Sequence, residues 1–435
     1  METPLSFSLL WKPTPFSPQG LWTVKPLREK RFLGFSTRIF PTAYYYDKKT
    51  SPLLAESETN GGTDMKFSCE KALLQAAIAV SARAAASKSS IPALEGILLE
   101  ADSELRLTGY NLETGIRTVV PAQVSEGGSL VLSSRLFGEI VRRLPDDMVS
   151  FSSEALTVHI QCGMSEFNIQ GIDPEEFPEL PAVERQNALE LPQSTLADMI
   201  GRTLFAVSDN ESRPILTGSL FEVTGDTLAV VSVDGQRLAI RREKLENKPG
   251  MDFSFVVPGA ALNEVKGICS DTEETALVTT GARHVLFKVG STLLVTRRLE
   301  GEFLDYRQAI SRKSTVLLTA EVRQLMASID RVSLIISEKF KSPLRCTMEE
   351  GSIFLTTRTA IGDASDRCPV EGSGEDLKIG FNNRLLMDAL KAVPTDRALL
   401  KLGTSSSPCV IVPTDAEEGA EPYLFMVLPV RLSAG

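Results

Sequence analysis

The sequence predicts an α+β fold in which one unit is written three times, each copy an antiparallel sheet layer carrying two helices on one face. Three observations predict it. A one-sided apolar helical stripe recurs in matched order, a proline-led strand follows the first helix of each copy, and the remaining apolar residues alternate in and out as half-buried strands do.

Each copy opens with a short strand and an apolar-stripe helix. Phe67 leads into Leu73, Leu74, Ala77 and Ile78; Leu191 leads into Leu196, Met199, Ile200 and Thr203; Leu317 leads into Val322, Leu325, Met326 and Ile329. A strand entered through a proline comes next, at Ile91-Pro92-Ala93-Leu94-Glu95-Gly96, Arg213-Pro214-Ile215-Leu216-Thr217-Gly218 and Ser342-Pro343-Leu344-Arg345. The second helix gives the sharpest match. Leu136, Phe137, Ile140, Val141 and Leu144 recur as Ala261, Leu262, Val265, Lys266 and Cys269, and again as Leu385, Leu386, Ala389, Leu390 and Val393. That spacing is one face of a helix. Copies one and two also end alike, in Glu176-Phe177-Pro178-Glu179-Leu180 and Glu302-Phe303-Leu304-Asp305-Tyr306.

The expected divisions are 65–187, 188–311 and 312–432, each with two helices and six to eight strands. Polar stretches mark both boundaries, Glu184-Arg185-Gln186-Asn187 and Ser311-Arg312-Lys313-Ser314. Residues 1–64 differ in kind. They hold Trp11, Trp22, the run Tyr44-Tyr45-Tyr46 and many prolines, with no lasting period. They read as a disordered leader or an upstream start, with a targeting or protein-binding arm as the alternative and Met65 as the natural start. Ser433-Ala434-Gly435 form a short tail.

Composition narrows the function. Six scattered cysteines without a CxxC pair suit buried thiols in a reducing cytoplasm, not a disulfide framework or a zinc site. His159 and His284 are the two histidines, each in a strand-like stretch, where a satisfied histidine is the expectation. Neither a phosphate loop nor a dinucleotide, metalloprotease or nucleophile-elbow motif occurs. Asp234-Gly235-Gln236-Arg237 reads as a hairpin turn rather than a catalytic pair. The expectation is a protein that is not an enzyme and uses no cofactor or metal.

A formal charge of −10 argues against nucleic acid until its placement is examined. The leader carries eight Lys/Arg and six Asp/Glu, which leaves −12 for residues 65–435. The expected helices, 70–83, 133–144, 194–208, 258–268, 319–331 and 382–392, hold eleven Lys/Arg and seven Asp/Glu. Everything outside them therefore stands at −16. The basic residues gather on the helices, most in copy one, at Arg83, Lys88, Arg135, Arg142 and Arg143. Helices facing a common centre would give a positive inner wall and an acidic outside.

Several motifs in matched order resemble the bacterial DNA sliding clamp, the beta subunit of the DNA polymerase III holoenzyme. They are Met65-Lys66-Phe67, Gly96-Ile97-Leu98-Leu99, Asn210-Glu211-Ser212-Arg213-Pro214-Ile215-Leu216-Thr217-Gly218, Asp234-Gly235-Gln236-Arg237-Leu238-Ala239, Glu338-Lys339-Phe340 and Leu428-Pro429-Val430-Arg431-Leu432. The resemblance spans residues 65–432. It implies three clamp domains, sheets outside and helices inside, in a head-to-tail homodimeric ring around duplex DNA. The ring would tether the replicative polymerase and other DNA-processing enzymes, and a separate ATP-driven loader would open it.

The resemblance also implies residue roles. DNA-facing positions are Lys88, Arg135, Arg142, Arg143, Arg202, Lys266 and Asn382, with Gly259 and Ala260 standing where some members are basic. The partner-peptide pocket is Leu216, Val233, Gly235, Gln236, Arg237, Leu238, Leu304, Ala309, Met426, Leu428, Pro429, Val430, Arg431 and Leu432. Leu304 stands where a proline is common. The subunit seam falls to Phe167 on one side and Leu334 with Ile335 on the other. Implied partners are double-stranded DNA without sequence preference, a second copy, the loader, and replicative and translesion polymerases. The implied location is cytoplasmic, without a membrane. Two alternatives are a second clamp copy specialised for repair polymerases and a hydrolase on a repeated scaffold; the latter lacks a nucleophile, base or metal set.

Overall fold

The computed structural model describes residues 64–247, 250–310, 314–337, 339, 342–372, 377–417 and 419–432. The leader up to residue 63, the boundary residues 311–313, Glu338 and Phe340 of the third-copy motif, and the tail 433–435 lie outside the described residues.

Copy one runs β1 (Met65–Glu70), α1 (Lys71–Ser81), β2 (Gly96–Ala101), β3 (Leu105–Tyr110), β4 (Thr114–Val120), β5 (Gln123–Glu126), β6 (Gly128–Ser133), α2 (Ser134–Arg143), β7 (Met148–Glu154), β8 (Thr157–Cys162) and β9 (Ser165–Gln170). Copy two runs β10 (Asn187–Pro192), α3 (Gln193–Thr203), β11 (Gly218–Thr224), β12 (Thr227–Val233), β13 (Arg237–Lys244), β14 (Phe253–Pro258), α4 (Gly259–Ile268), β15 (Thr275–Thr280), β16 (His284–Val289) and β17 (Thr292–Arg297). Copy three runs β18 (Val316–Glu321), α5 (Val322–Ser333), β19 (Leu344–Glu349), β20 (Ser352–Thr359), β21 (Gly362–Glu371), β22 (Lys378–Phe381), α6 (Asn383–Ala392), β23 (Arg397–Leu402), β24 (Cys409–Val412) and β25 (Tyr423–Val427).

The helical stripes pack inward, with one displacement. Phe137, Ile140, Val141 and Leu144 are buried, as are Leu196, Met199, Ile200 and Thr203. Leu73 and Leu136, the first members of their stripes, are 41% and 48% exposed, because each lies one residue ahead of the buried row and falls on the flank of its helix. Ser133 caps α2 by accepting from Leu136 N, and Asn382 caps α6 by accepting from Arg384 N at 3.0 Å. Pro92 and Pro214 do not enter a strand directly. Each opens a one-turn 3-10 segment, Pro92–Glu95 or Pro214–Thr217, and the strand starts at the glycine that follows. Those glycines are required by close approach: a Cβ at Gly96 would lie 2.4 Å from Val131 Cγ1, and one at Gly218 would lie 2.3 Å from the Val257 carbonyl oxygen.

Each copy contains two half-sheets rather than one layer. The first half forms around β2–β4 with β6, β11–β13 with β14, and β19–β21 with β22; the second holds the opening strand and the last three strands of the copy. An open half-sheet edge exposes a row of backbone donors and acceptors, and pairing with the next copy removes it. Strand β17 pairs antiparallel with β4, where Thr118 meets Thr292 through hydroxyls 3.0 Å apart and Thr114 meets Thr296 at 3.2 Å. Strand β13 pairs with β25 in the same way, from Arg237↔Val427 to Arg241↔Tyr423. One junction rule is used twice. The third strand of a first half-sheet takes the last strand of the following copy.

The helices pack in pairs within each copy, α1 with α2, α3 with α4 and α5 with α6, and α3 also meets α6 of the next copy. Every copy has its own apolar core, and further buried clusters fill the junctions.

Candidate functional site

The basic residues on and next to the helices sort by what holds them. Lys88, Arg135 and Lys266 are exposed, and none is in an ion pair among the described residues. Arg142 and Arg143 both reach Glu139 at 2.8 Å while staying 58% and 71% exposed. The Arg142 hydrogen bond, with the arginine charges around it, lowers the Glu139 pKa. Exposed pairs of this kind are screened by salt and readily exchanged for another anion. Arg202 is more tightly used. It pairs with Asp198 at 2.8 Å and donates to the Ala392 carbonyl at 3.0 Å, at the end of α6. Arg83, in the 3-10 turn that follows α1, is committed to Glu264 at 3.0 Å across the first junction. Asn382 is not among these side chains. The structure places it, as the α6 cap, beside a cavity of about 790 Å³ whose lining includes Ile336, Pro343, Arg384, Val430 and Arg431.

Two groups emerge among the sequence-expected pocket residues. Leu216, Val233, Leu238 and Met426 are buried together in the cluster that fills the second junction, with Tyr306 and Leu424. The Asp234-Gly235-Gln236-Arg237 turn closes one side. Gly235 has φ +90°, which glycine tolerates, and the Asp234 carboxylate accepts from Gln236 N at 2.8 Å and Arg237 N at 2.9 Å. The Gln236 carbonyl accepts from Leu428 N at 2.8 Å, so the last residues of the chain are tied to this turn. Leu304 and Leu428 remain 50% and 37% exposed, while Ala309 is exposed at the end of a short 3-10 turn. The second group lies beyond Pro429. Val430 bridges to Gly380, and Leu432 packs on the same glycine, where a Cβ would lie 2.5 Å from Leu432 Cδ2. Val430 and Arg431 thus line the cavity that also holds Asn382. The stretch 428–430 connects the two groups.

The first junction repeats this frame but is filled. Arg297 N donates to the Glu113 carbonyl just as Leu428 N donates to Gln236, which makes Arg297 the counterpart of Leu428. The second residue of β4 is Gly115, where β13 has Leu238, and a Cβ there would lie 2.3 Å from Leu180 Cδ2. Leu180, Phe177 and Tyr110 belong to the cluster packed at this junction. Arg297 thus stands at the register position of Leu428, and Leu180 takes the space beside Gly115 that the Leu238 side chain has on β13.

Two edges stay open by the junction rule. Strand β9 is the end strand of its five-stranded sheet, and β21 pairs with β18 only at Val370 and Glu371. Phe167 sits on β9 at 36% exposure. Leu334 follows α5 at 79% exposure with Ile335 next to it, and α5 packs on β21, its Arg331 reaching Asp366 at 2.6 Å.

Catalytic chemistry finds little support. His159 shares a hydrogen bond with Asn168 at 2.8 Å across β8 and β9, and His284 is half-buried with its pKa lowered by burial and the Arg297 and Arg283 charges. Burial pushes the Cys269 thiol up to about 11 and raises Cys346 and Cys409, so these sulfurs stay protonated. No cluster of His, Cys, Asp and Glu that could hold a metal occurs among the described residues. No helix among them is long and apolar enough to cross a membrane.

Three like domains that merge their sheets at each junction and carry paired helices constitute a multidomain clamp. Comparison with known proteins gives the same answer. The DNA polymerase III beta subunit families match domain by domain: the N-terminal domain over residues 65–181, the central domain over 190–305 and the C-terminal domain over 307–427. The chain is 32% identical over 364 residues to the beta sliding clamp of Halalkalibacterium halodurans, covering 80% of this chain and 95% of that one. Against the beta sliding clamp of Staphylococcus aureus it is 32% identical over 361 residues, covering 80% and 94%. The crystal structure of the Bacillus subtilis DNA polymerase sliding clamp superposes with a TM-score of 0.81 at 29% identity, over 85% of this chain and 100% of that one. The DNA polymerase III beta subunit from Eubacterium rectale gives 0.79 at 31% identity, over 84% and 99%. The chain belongs to the bacterial DNA polymerase III beta-subunit family, the sliding clamps, whose members are non-catalytic processivity factors.

Proposed function

We propose that two copies of this chain close head to tail into a ring around duplex DNA and tether the replicative polymerase by enclosure. The observation that carries the reading is the junction rule. It joins copy one to two and two to three within the chain, and it leaves β9 and β21 as the unmatched third pair. A second copy offering β21 to β9 applies the rule again, and doing so at both ends closes the ring. Phe167 and Leu334 with Ile335 supply apolar contact at that seam. The helices face the enclosed duplex. Lys88, Arg135, Arg142, Arg143, Arg202 and Lys266 attract phosphates without reading bases, which suits a ring that must slide.

The open second junction takes short apolar peptides from partners, among them replicative and translesion polymerases and the ATP-driven loader. Asn382, which caps α6, lines this groove's second lobe with Val430 and Arg431. The divisions are the sequence-expected 65–187, 188–311 and 312–432, and the ring works in the cytoplasm, where bacterial DNA lies. The test is topological. Loaded on a nicked circular plasmid, the protein survives a salt wash that strips electrostatic complexes, and linearising the plasmid releases it within minutes. Replacing Leu334 and Ile335 with glutamates abolishes retention. Equal retention on linear DNA with free ends would overturn enclosure.

A further inference from the structure

We infer that Asp388, on α6 of the third domain, is a positioning residue for the partner groove of the second domain, acting across the junction through Arg237. The inference rests on the groove reading given above. Arg237 begins β13, directly after the turn whose Gln236 carbonyl fixes Leu428. Its side chain is 14% exposed, and its guanidinium is held on three sides. Nε donates to Asp234 Oδ2 at 2.9 Å, Nη1 donates to Asp388 Oδ2 at 2.8 Å, and the group lies over the Phe205 ring at 5.3 Å from its centroid.

A guanidinium is planar with its donors in fixed directions, so two carboxylates on different edges set its orientation. Asp234 belongs to the same turn and can only hold the turn to itself. Asp388 belongs to another domain and ties the turn to a helix. Without it the nearly buried cation keeps one carboxylate and the Phe205 face, and the turn loses its side-chain tie to α6. Leu428, hung from the Gln236 carbonyl, would share that looseness.

Asp388 also faces the other way. It lines a cavity of about 380 Å³ with Arg202, Lys266 and Lys391, and Lys391 Nζ lies 4.0 Å from its Oδ1. Arg202 grips the α6 carbonyl of Ala392 one turn further on, as a cation at a helix C-terminus should. Two arginines of the second domain therefore hold the last turns of α6, and the carboxylate that one of them grips stands between the groove and the basic helical wall.

The test uses the full chain and a fluorescent peptide, the fragment of the same cell's replicative polymerase that the unaltered protein binds. Asp388→Asn keeps size and removes charge, Asp388→Glu keeps charge, and Leu428→Ala reports on the groove itself. Expected results are a three- to tenfold loss of affinity in Asp388→Asn, carried by faster dissociation, with melting temperature and dimer unchanged. Asp388→Glu should recover affinity to within about twofold. If Leu428→Ala weakens the peptide and Asp388→Asn does not, the positioning role is overturned and the groove stands. If neither weakens it, the groove reading fails and takes this inference with it. A loss in Asp388→Asn that tracks a drop in melting temperature and is not recovered by glutamate would also overturn it, since that is a merely structural effect.

Discussion

Leu304 and Leu428 are where the groove makes its most quantitative demand. Full burial of a leucine side chain is worth about 1.5–3 kcal/mol, but a partner can remove from water only what the free protein leaves exposed. Leu428 is 37% exposed and Leu304 50%. Scaled by those fractions, docking gains about 0.6–1.1 kcal/mol at Leu428 and about 0.8–1.5 kcal/mol at Leu304. The pair is therefore worth about 1.3–2.6 kcal/mol, or roughly ten- to eightyfold in affinity. The double variant Leu304→Ala/Leu428→Ala should weaken a polymerase-derived peptide by that factor in calorimetry, while the dimer stays assembled. Leu216, Val233 and Met426, 6%, 4% and 4% exposed, have almost nothing left to give a ligand. Their alanine variants should cost stability first, about 2–5 kcal/mol for Leu216 or Met426. Two results would refute the reasoning: no loss of peptide affinity in the double variant, or a larger loss from Met426→Ala at unchanged stability.

Three further expectations follow from other parts of the molecule. A protein starting at Met65 should melt and dimerise as the full chain does, because β1 and its pairing with β7 begin at that residue; loss of dimer in analytical ultracentrifugation would contradict this. Charge reversal at Arg135 and Arg142 should slow loading yet leave retention on circular DNA largely intact, with gel-filtration of loaded plasmids as the measure. His284 has its pKa held below the unfolded value near 6.5, so the unfolded chain binds the extra proton first and stability should fall as pH drops below that value. His284→Gln should flatten this part of the stability profile in denaturant titrations, and an unchanged slope would count against the assignment.

The threefold repeat, the six helices and the turn at Gly235 were legible because each leaves a local pattern: a stripe at helical spacing, a proline, an Asp-Gly step. What local pattern does not carry is which strand finds which. The alternation in Thr114–Val120 and Thr292–Arg297 marks two strands, but nothing in either says that they pair across a domain boundary. The split of each copy into two half-sheets was hidden for the same reason. The site shows a similar limit. Resemblance grouped Leu216, Val233, Leu238 and Met426, and the fold buries them in one cluster. It set Asn382 among the DNA-facing residues, and the fold adds that this residue caps α6 beside Val430 and Arg431. A signal for that was present, since Asn382 stands between a strand and an apolar-stripe helix, where a short polar side chain commonly caps. Asp388 carried no signal at all. A lone acid on a helix is ordinary until Arg237, from another domain, is seen to reach it.

The difference between the two internal junctions bears on why a clamp built of repeats would offer the one groove per subunit proposed above instead of one at every junction. Backbone pairing is the same at both, because hydrogen bonds between strands need no particular side chains. Specificity enters where side chains depart from the repeat. At the first junction Gly115 makes room for Leu180, and Arg297 puts a charged residue at the register position that Leu428 holds at the second. At the second, Leu238 fills its own place, Leu428 carries no charge, and the segment Leu428–Leu432 runs on to a second lobe. Exchanging these side chains would test the account directly. Leu180→Ala with Arg297→Leu uncovers apolar surface at the first junction without touching a strand pairing, and a peptide titration should then show weak binding at a second site per subunit. A titration that still ends at one peptide per subunit, from a protein whose melting temperature shows it folded, would mean that the groove depends on the C-terminal segment and not on the openness of the junction.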